Sequence, residues 1–237
     1  MNPIPFLYSE IIYRPLLNSL VAIYAFLPPH DLGLAIIVLT VLVRLALHPT
    51  LVKTIRSQQA LSKLQPKIRE IQERFKDNRE EQGRRMMELY KSQGVNPLSG
   101  CLPMVIQIPI LIGLYQVFFS GLALDDPSLL YSFVPRIQDF NPIAFSLFDL
   151  SKPNIVLALT AGVTQFLQAR YLPMPSAGPA GQQQDFQKAM RLQMTYFFPL
   201  LIAGISYTLP AALAFYWTIL NLIAMLEQLW IRRRFPH

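Results

Sequence analysis

The stretch LGLAIIVLTVLVRLALHPTLV, residues 32–52, decides the fold class of this chain. Apart from Arg44 it carries no Lys, Arg, Asp or Glu. A helix needs about 20 largely apolar residues to cross roughly 30 Å of hydrocarbon. Over the 237 residues, 52% are hydrophobic and 15% are charged, whereas a soluble domain has about 25% charged residues. The stretch therefore predicts a membrane-spanning helix.

Three further uncharged stretches predict four more spans. Two of them cover residues 97–124 and 153–169, and the third is a run of 35 residues from 192 to 226, too long for one crossing. Pro210 lies near the middle of this run and predicts a turn that divides it into spans 192–208 and 210–230. We expect an all-α membrane protein with five transmembrane helices.

The distribution of basic residues among the loops predicts orientation, because Lys and Arg resist translocation. Apart from Arg44, the loops on one side carry 17 Lys and Arg and the loops on the other side carry three. The richer side is expected to be the cytosol or its organellar equivalent, and comprises residues 53–96, 170–191 and the short basic tail 231–237. Residues 1–31 and the loop 125–152 are expected outside.

The N-terminal segment, residues 1–31, is expected to contain a short helix. It would begin at Pro15 and stop at Pro28-Pro29, and its 13 residues up to Leu27 are too few to span a bilayer. Leu16, Leu17, Leu20, Val21, Tyr24 and Leu27 share one face, opposite Asn18, Ser19, Ala22 and Ala25. We expect an amphipathic helix on the outer membrane surface; a packed sixth helix and a signal-peptide core are the alternatives.

Residues 53–96 predict a water-exposed helical hairpin. An apolar seam at helical spacing marks the first helix and Asp77-Asn78 supplies a turn. The second helix runs from Arg79 to about Gln93, and Pro66 is expected to bend the first. The seam comprises Leu61, Leu64, Ile68, Ile71 and Phe75, and its expected contacts are Met86, Met87, Leu89 and Tyr90.

The hairpin is strongly basic, with 11 Lys and Arg against six Asp and Glu between residues 53 and 91. Most such charge runs are solvated faces. The alternative is a contact arm for lipid headgroups, incoming chains or partner proteins, in which the candidate residues are Lys53, Arg56, Lys63, Lys67, Arg69, Arg74, Arg84 and Arg85.

Arg44 is the most informative single residue. An Arg in mid-span costs several kcal/mol, with estimates from about 3 to above 10, so it is expected to face water, a partner or a cavity. Thr40, Arg44 and His48 are spaced by four and form a polar stripe on an apolar helix. Snorkelling of Arg44 to the cytosolic interface is the alternative, although it leaves Thr40 unexplained.

Uncharged polar residues in the other spans are candidates to line the same pocket. They are Gln107 and Gln116, Gln165 and Gln168, and Thr218 and Asn221. Taken singly, each is better explained by an ordinary interhelical hydrogen bond, worth about 0.6 to 2 kcal/mol. Taken together with Arg44, they predict a water-filled pocket.

Enzymatic chemistry is not expected. The sequence has no Gly-rich phosphate loop or HExxH, and its three His lie in separate regions without metal-ligand spacing. The spans contain one acidic residue, Glu227, at the very end of the last. We predict no metal, no cofactor, no small-molecule substrate and no covalent catalysis.

Three segments resemble the YidC/Oxa/Alb family of membrane protein insertases. They are VRLALHPTLVKTIRSQQALSKLQPKIREIQERFKD (43–77), MMELYKSQGVNPLSGCLPMVIQIPILIGLYQVF (86–118) and FYWTILNL (215–222). The resemblance extends over roughly residues 32–234. It implies a five-helix core whose intramembrane groove is open to the cytosol and lipid and closed on the outer side.

The resemblance also implies roles for individual residues. Arg44 matches the arginine that gives the groove its positive potential, and Gln107 and Trp217 match groove-lining positions. The hairpin matches the region that receives substrates. Burial of the client's apolar helix would drive insertion without a nucleotide.

The implied partners are newly made membrane protein clients and the lipid bilayer, with a Sec-type translocon and the ribosome as further candidates. The bacterial inner membrane is the expected location. We expect a short form without the large extracytoplasmic domain, without a lipid anchor, and with a tail (WIRRRFPH) too short for ribosome docking. The alternative function is a small transporter or channel, which predicts polar residues continuing to the outer face; residues 32–39 contain none.

Overall fold

A computed structural model describes residues 3–96, 102–119, 127–137, 140–171, 189 and 191–234. Over these residues the fold is all-α apart from one two-stranded ribbon. The helices are α1 (Pro3–Tyr8), α2 (Arg14–Phe26), α3 (Leu32–Lys63), α4 (Gln65–Arg74), α5 (Arg79–Ser92), α6 (Leu102–Phe119), α7 (Ile155–Tyr171), α8 (Phe198–Thr208) and α9 (Ala211–Arg234). The strands β1 (Ile143–Ala144) and β2 (Phe148–Asp149) pair antiparallel.

Each predicted span overlaps one long helix. The uncharged run after residue 191 is divided as the sequence predicts, because α8 ends at Thr208 and α9 begins at Ala211, on either side of Pro210. Within the described residues, two helices are long and apolar enough to cross a bilayer, Leu32–Lys63 and Ala211–Ile231, and a shorter apolar helix covers Val105–Phe119. The number of crossings stays a prediction, and residues 97–101 and 120–124 of the second span lie outside the described residues.

The N-terminal helix differs from the prediction. Helix α1, a π-helical segment (Ser9–Tyr13) and α2 follow one another without interruption. The helix thus begins near Pro3 instead of Pro15, and its length no longer argues against a crossing. Its apolar face is buried in the protein: Leu17 and Leu20 belong to the main hydrophobic core together with residues of α3 and α6. An amphipathic helix resting on lipid alone is therefore not what this segment forms.

Asn18, expected on the polar side of this helix, is buried. Its amide donates to the carbonyls of Arg14 and Leu129 and its oxygen accepts from the backbone N–H of Tyr131. Burying a polar side chain is tolerated when its hydrogen bonds are satisfied. Asn18 thereby fastens the helix to the segment after α6.

The main core lies between α3 and the helix α9, with α2, α6, α7 and α8 around them. Small residues of α9, among them Ala211 and Ala214, are fully buried there. Helix α7 packs closely on α8 because Gly162 has no side chain; a Cβ at Gly162 would lie 2.9 Å from the Cβ of Ala203. Small residues at such contacts let apolar helices approach each other.

The helices α3, α7 and α9 begin at the same end of the bundle, which we call the loop end. Here Asp31 caps α3 through the N–H of Leu34 and also accepts from the N–H of Phe145, next to β1. The first N–H groups of α9 donate to the carbonyls of Leu150 and Lys152. Side chains and loop carbonyls thus satisfy the helix starts, and the 140–154 segment covers the loop end.

The hairpin forms a separate small core of Leu61, Leu64, Ile68 and Tyr90, with Met86, Leu89 and Val95 packed against it. The first hairpin helix is interrupted near Pro66 as expected, and its apolar seam is shorter than predicted. Residues 53–63 continue α3 past position 52, the break comes at Leu64, and α4 begins at Gln65 with Pro66 in its first turn. Beyond Ile68 the buried position of α4 is Gln72, whose backbone carbonyl accepts a hydrogen bond from the side chain of Gln82. The predicted seam residues Ile71 and Phe75 are only half-buried, and Met87 is exposed.

Candidate functional site

Helix α9 brings the predicted site residues together. It contacts α3, α6, α7 and α8, and its polar side chains meet polar partners on three of these helices. Because successive residues of a helix point in directions about 100° apart, the side chains at neighbouring α9 positions face different helices. The site is therefore a set of polar pairs arranged around one helix.

Arg44 lies opposite Glu227. A guanidinium nitrogen of Arg44 (Nη2) is 2.6 Å from Glu227 Oε2, and His48 Nδ1 is 3.2 Å from Glu227 Oε1. The Arg44 and Glu227 side chains are 13% and 17% exposed, and that of His48 is 33% exposed. The prediction that Arg44 faces a partner or cavity is resolved in favour of a partner on α9, because a charge so deeply placed requires an opposite charge.

Thr40 does not extend this charged cluster as expected. Its side chain is 1% exposed, and its hydroxyl donates to the carbonyl of Ile36 at 2.6 Å on the same helix. A Thr in a helix satisfies itself in this way when no other partner is near. Thr40 shares the helix face of Arg44, but its hydroxyl is already used within α3 and does not join the contacts of Arg44.

Several of the other predicted residues form interhelical hydrogen bonds, while Thr218 donates to the carbonyl of Ala214 on its own helix. Gln107 of α6 donates to the Tyr216 hydroxyl at 2.9 Å. The Trp217 indole donates to Gln165 of α7 at 2.8 Å, and Asn221 donates to the Thr164 hydroxyl at 3.2 Å. These are the bonds that the sequence favours for each residue taken singly. Asn221 is fully buried, so it holds α9 to α7 away from the charged cluster.

Three participants were not identified from the sequence, namely Glu227, Tyr216 and Thr164. Glu227 is visible as the single acid of the spans, but no pattern links it to Arg44, which is 183 positions away. Tyr216 is one aromatic residue among several near Trp217. A signal for Tyr216 does exist, because a half-buried Gln such as Gln107 needs a partner.

An apolar cavity of about 310 Å³ lies between α6, α8 and α9. Its lining includes Leu111, Ile112 and Tyr115 of α6, Ile202 and Ile205 of α8, and Trp217 of α9. Apolar side chains of this wall are exposed, among them Ile112 and Ile205. Trp217 thus touches the cavity and also holds Gln165, so the apolar cavity adjoins the polar pairs.

The eight candidate basic residues of the hairpin all have exposed side chains. Arg84 and Arg85 lie in an ion-pair network with Glu81 and Glu88 along α5. Hydrogen bonds from Arg84 hold the pKa of the Glu81 carboxyl below its usual value. These two arginines are therefore engaged within their own helix, and exposed pairs of this kind add little stability.

Comparison with known proteins decides the relationship. The 60Kd inner membrane protein family matches residues 23–237, nearly the whole chain. This chain belongs to that family. The match includes Arg44, the hairpin and all of α9, which are the elements on which the sequence resemblance rests.

Relatives within the family carry the name "Membrane protein insertase YidC". The protein of Francisella philomiragia is 36% identical over 231 residues, and that of Francisella tularensis subsp. novicida is 37% identical over the same length. Each alignment covers 96% of this chain and 36% of the relative. The chain thus spans about a third of the length of these relatives.

Proposed function

We propose that this chain is a membrane protein insertase that helps client transmembrane helices enter the bilayer. The observation that carries the proposal is the ion pair of Arg44 and Glu227 with His48 beside it, held between two largely apolar helices and still partly exposed. A charge within the hydrocarbon region offers polar client segments an alternative to bare lipid. The membership of the 60Kd inner membrane protein family supports this function.

The apolar cavity supplies the second requirement. A client helix needs an apolar surface beside the polar path, because its hydrophobic residues must leave water while its flanks stay solvated. The wall formed by α6 and α8 provides that surface next to Trp217. We place the client helix along this wall, with its translocating tail passing the charged cluster.

The loop end is the closed side of the proposed groove. Its helix starts are capped by Asp31, Leu150 and Lys152, and residues 32–39 carry no polar side chain below it. A client would therefore enter from the opposite end, where the hairpin lies. This asymmetry supports an insertase over a channel that is polar from face to face.

The proposed topology has five spans in the bacterial inner membrane, with the loop end outside and the hairpin and C-terminus in the cytosol. The bias of 17 basic residues against three in the loops supports it. The exposed basic side chains of the hairpin are placed to meet incoming chains and anionic lipid. A Sec-type translocon and the ribosome remain proposed partners at this face.

Photo-crosslinking in proteoliposomes tests the function. The purified chain should insert a small single-span client in the absence of other proteins, and a photo-reactive residue at Ile205, in the cavity wall, should capture it. Leu200 is the matched control, because it lies on the same helix, is 73% exposed, and does not line the cavity. Capture from Leu200 alone, or insertion equal to that of empty liposomes, would reject the proposal.

A further inference from the structure

Glu227 stands out as the sole acid of its surroundings in the sequence. It follows an uncharged run of 35 residues, and it is the only Asp or Glu between positions 186 and 237. An ionised carboxylate in such a setting is costly unless it is paired. Its presence calls for an explanation beyond solubility.

The geometry gives Glu227 two neighbours on α3, a guanidinium and an imidazole. One carboxylate oxygen lies 2.6 Å from Arg44 Nη2, and the other lies 3.2 Å from His48 Nδ1. The same contact occupies the charge that would otherwise attract a client. In this state Arg44 presents to an incoming tail a pair that is nearly neutral, not a free positive charge.

The pair leaves part of Arg44 unused. Arg44 Nε is buried and has no hydrogen-bond partner within the described ranges. A guanidinium carries five N–H donors in a fixed fork and binds a carboxylate best through two parallel bonds. Glu227 Oε2 is likewise buried without a hydrogen-bond partner in the described part of the chain, so the 2.6 Å ion pair is a short contact that is not aligned as a hydrogen bond. A second carboxylate that forms two parallel bonds with the guanidinium competes with Glu227 for Arg44.

We propose that Glu227 determines the charge specificity of the groove by acting as an internal competitor for Arg44. This inference rests on the proposed function and concerns which clients the same site accepts. A client tail with Asp or Glu must displace Glu227 from Arg44. A tail with Lys or Arg binds the carboxylate of Glu227 instead, so Glu227 shifts the preference of the groove away from acidic tails and toward basic ones.

The test uses one single-span reporter with three translocated tails, bearing Asp, Asn or Lys at the same positions, in cells depleted of their own insertase. Glu227→Gln should raise insertion of the Asp tail relative to the Asn tail about fivefold, the ratio expected when a partly screened internal pair no longer competes. The same change should lower insertion of the Lys tail. Unaltered ratios in a folded Glu227→Gln protein would overturn the inference.

Glu10→Gln is the matched control. Glu10 also pairs with an arginine, Arg14, at 2.8 Å, but it does so on the N-terminal helix. Loss of this carboxylate should leave all three reporter ratios unchanged. A shift of the Asp-to-Asn ratio equal to that of Glu227→Gln would contradict a role specific to Glu227.

Glu227→Asp keeps the inference testable if the amide variant does not fold. This variant retains the negative charge but moves it away from Arg44 by the length of one methylene group. The ratio of Asp-tail to Asn-tail insertion should therefore be higher than in the wild type and lower than expected for an unpaired Arg44. A ratio equal to wild type, with a measured loss of thermal stability, would make Glu227 purely structural. Failure of the wild-type chain to insert even the Asn reporter would reject the proposed function itself, and the inference with it.

Discussion

At the level of single residues, Arg44 and Glu227 make each other tolerable inside the bundle. Each is less than one-fifth exposed, and the two come from helices far apart in the sequence. Removal of one member of such a pair leaves the other charge buried without compensation. The charge of Arg44 therefore has a structural cost as well as the role toward clients that we propose.

Substitution of Arg44 by Ala is expected to destabilise the protein. The loss should be roughly 1 to 3 kcal/mol, below the range for fully buried pairs because the Arg44 and Glu227 side chains are partly exposed. Thermal unfolding in detergent measures it. Glu227→Gln in the Arg44→Ala background should recover most of the loss, and a double variant no more stable than Arg44→Ala would contradict the pairing.

Asp149, at the loop end, is expected to give a pH-dependent contribution. A hydrogen bond from Ser151 and the ammonium of Lys152 lower the pKa of its carboxyl. Because the pKa is lower in the folded state, the stabilisation is present above the unfolded value and is lost as pH falls through the folded one. The unfolding temperature of Asp149→Asn should fall below wild type at neutral pH and approach it only as the pH falls below the usual aspartate pKa of about 3.9.

Contrary behaviour of Asp149→Asn is easy to recognise. A difference that persists at low pH would mean that the carboxyl acts as a hydrogen-bond acceptor only, without its charge. Lys152→Gln is the companion variant, because it removes the ammonium that lies 2.9 Å from Asp149 and leaves the hydrogen bond from Ser151 in place.

At the level of helices and strands, the positions of breaks follow from local chemistry. Pro210 separates α8 from α9 and Pro66 begins α4, and both effects depend on the proline ring itself. The start of the N-terminal helix was missed because the cue used for it, Pro15, lies inside a helix that tertiary packing extends to Pro3. The buried Gln72 was missed because an apolar seam is counted on apolar residues alone.

The contact of α7 with α8 depends on Gly162. Gly162→Ala should lower stability by about 1 to 3 kcal/mol, because the new Cβ meets Ala203 Cβ at 2.9 Å and the helices must separate. Gly204→Ala on α8 is the control, since nothing lies within 4 Å of a Cβ there. Its unfolding temperature should be unchanged or raised, given that Ala favours helix by about 1 kcal/mol over Gly. Equal losses in both variants would disprove the close contact.

The hairpin is expected to open independently of the bundle. Its core holds few buried residues, and such small clusters open at low free energy. Hydrogen exchange in nanodiscs should be faster in α4 and α5 than in α9. Ile68→Ala should raise exchange in the hairpin alone, because Ile68 is fully buried there and has no place in the main core.

The same experiment would also reveal whether opening of the hairpin is coupled to opening of the helical bundle. If Ile68→Ala accelerated exchange in α7 and α9 to the same extent as in α5, the hairpin would belong to one cooperative unit with the bundle. Wild-type exchange that is equally slow in α5 and α9 would equally contradict an independent arm.

At the scale of the whole molecule, the charge distribution predicts orientation. In a Cys101→Ser background, a cysteine at Ser132 should react with a membrane-impermeant reagent in intact cells, because its loop is expected outside. A cysteine at Ser62, exposed on the hairpin side, should react only after permeabilisation. Both residues are exposed in the structure, so accessibility within the protein does not differ. The reverse pattern would invert the topology.

Helix content, the break at Pro210 and the need of Arg44 for a partner were predictable, because each follows from local composition or from the cost of a buried charge. The pairs that build the site were not. Arg44 with Glu227, and Gln107 with Tyr216, join residues more than 100 positions apart, and one sequence contains no signal for the angle at which two helices cross. Trp217 was predicted as a groove residue through family resemblance, whereas its hydrogen bond to Gln165 required coordinates.

Because the start of α9 is fixed at the loop end, a tilt of this helix moves its far end most. Its start is pinned by the carbonyls of Leu150 and Lys152, and Glu227 lies about 24 Å along the helix from that pivot at 1.5 Å per residue. A tilt of about 10° would move Glu227 by about 4 Å, enough to part it from Arg44. Rupture of the ion pair and separation of α9 from α3 are in this sense one motion, with its smallest amplitude at the pivot and its largest at the far tip.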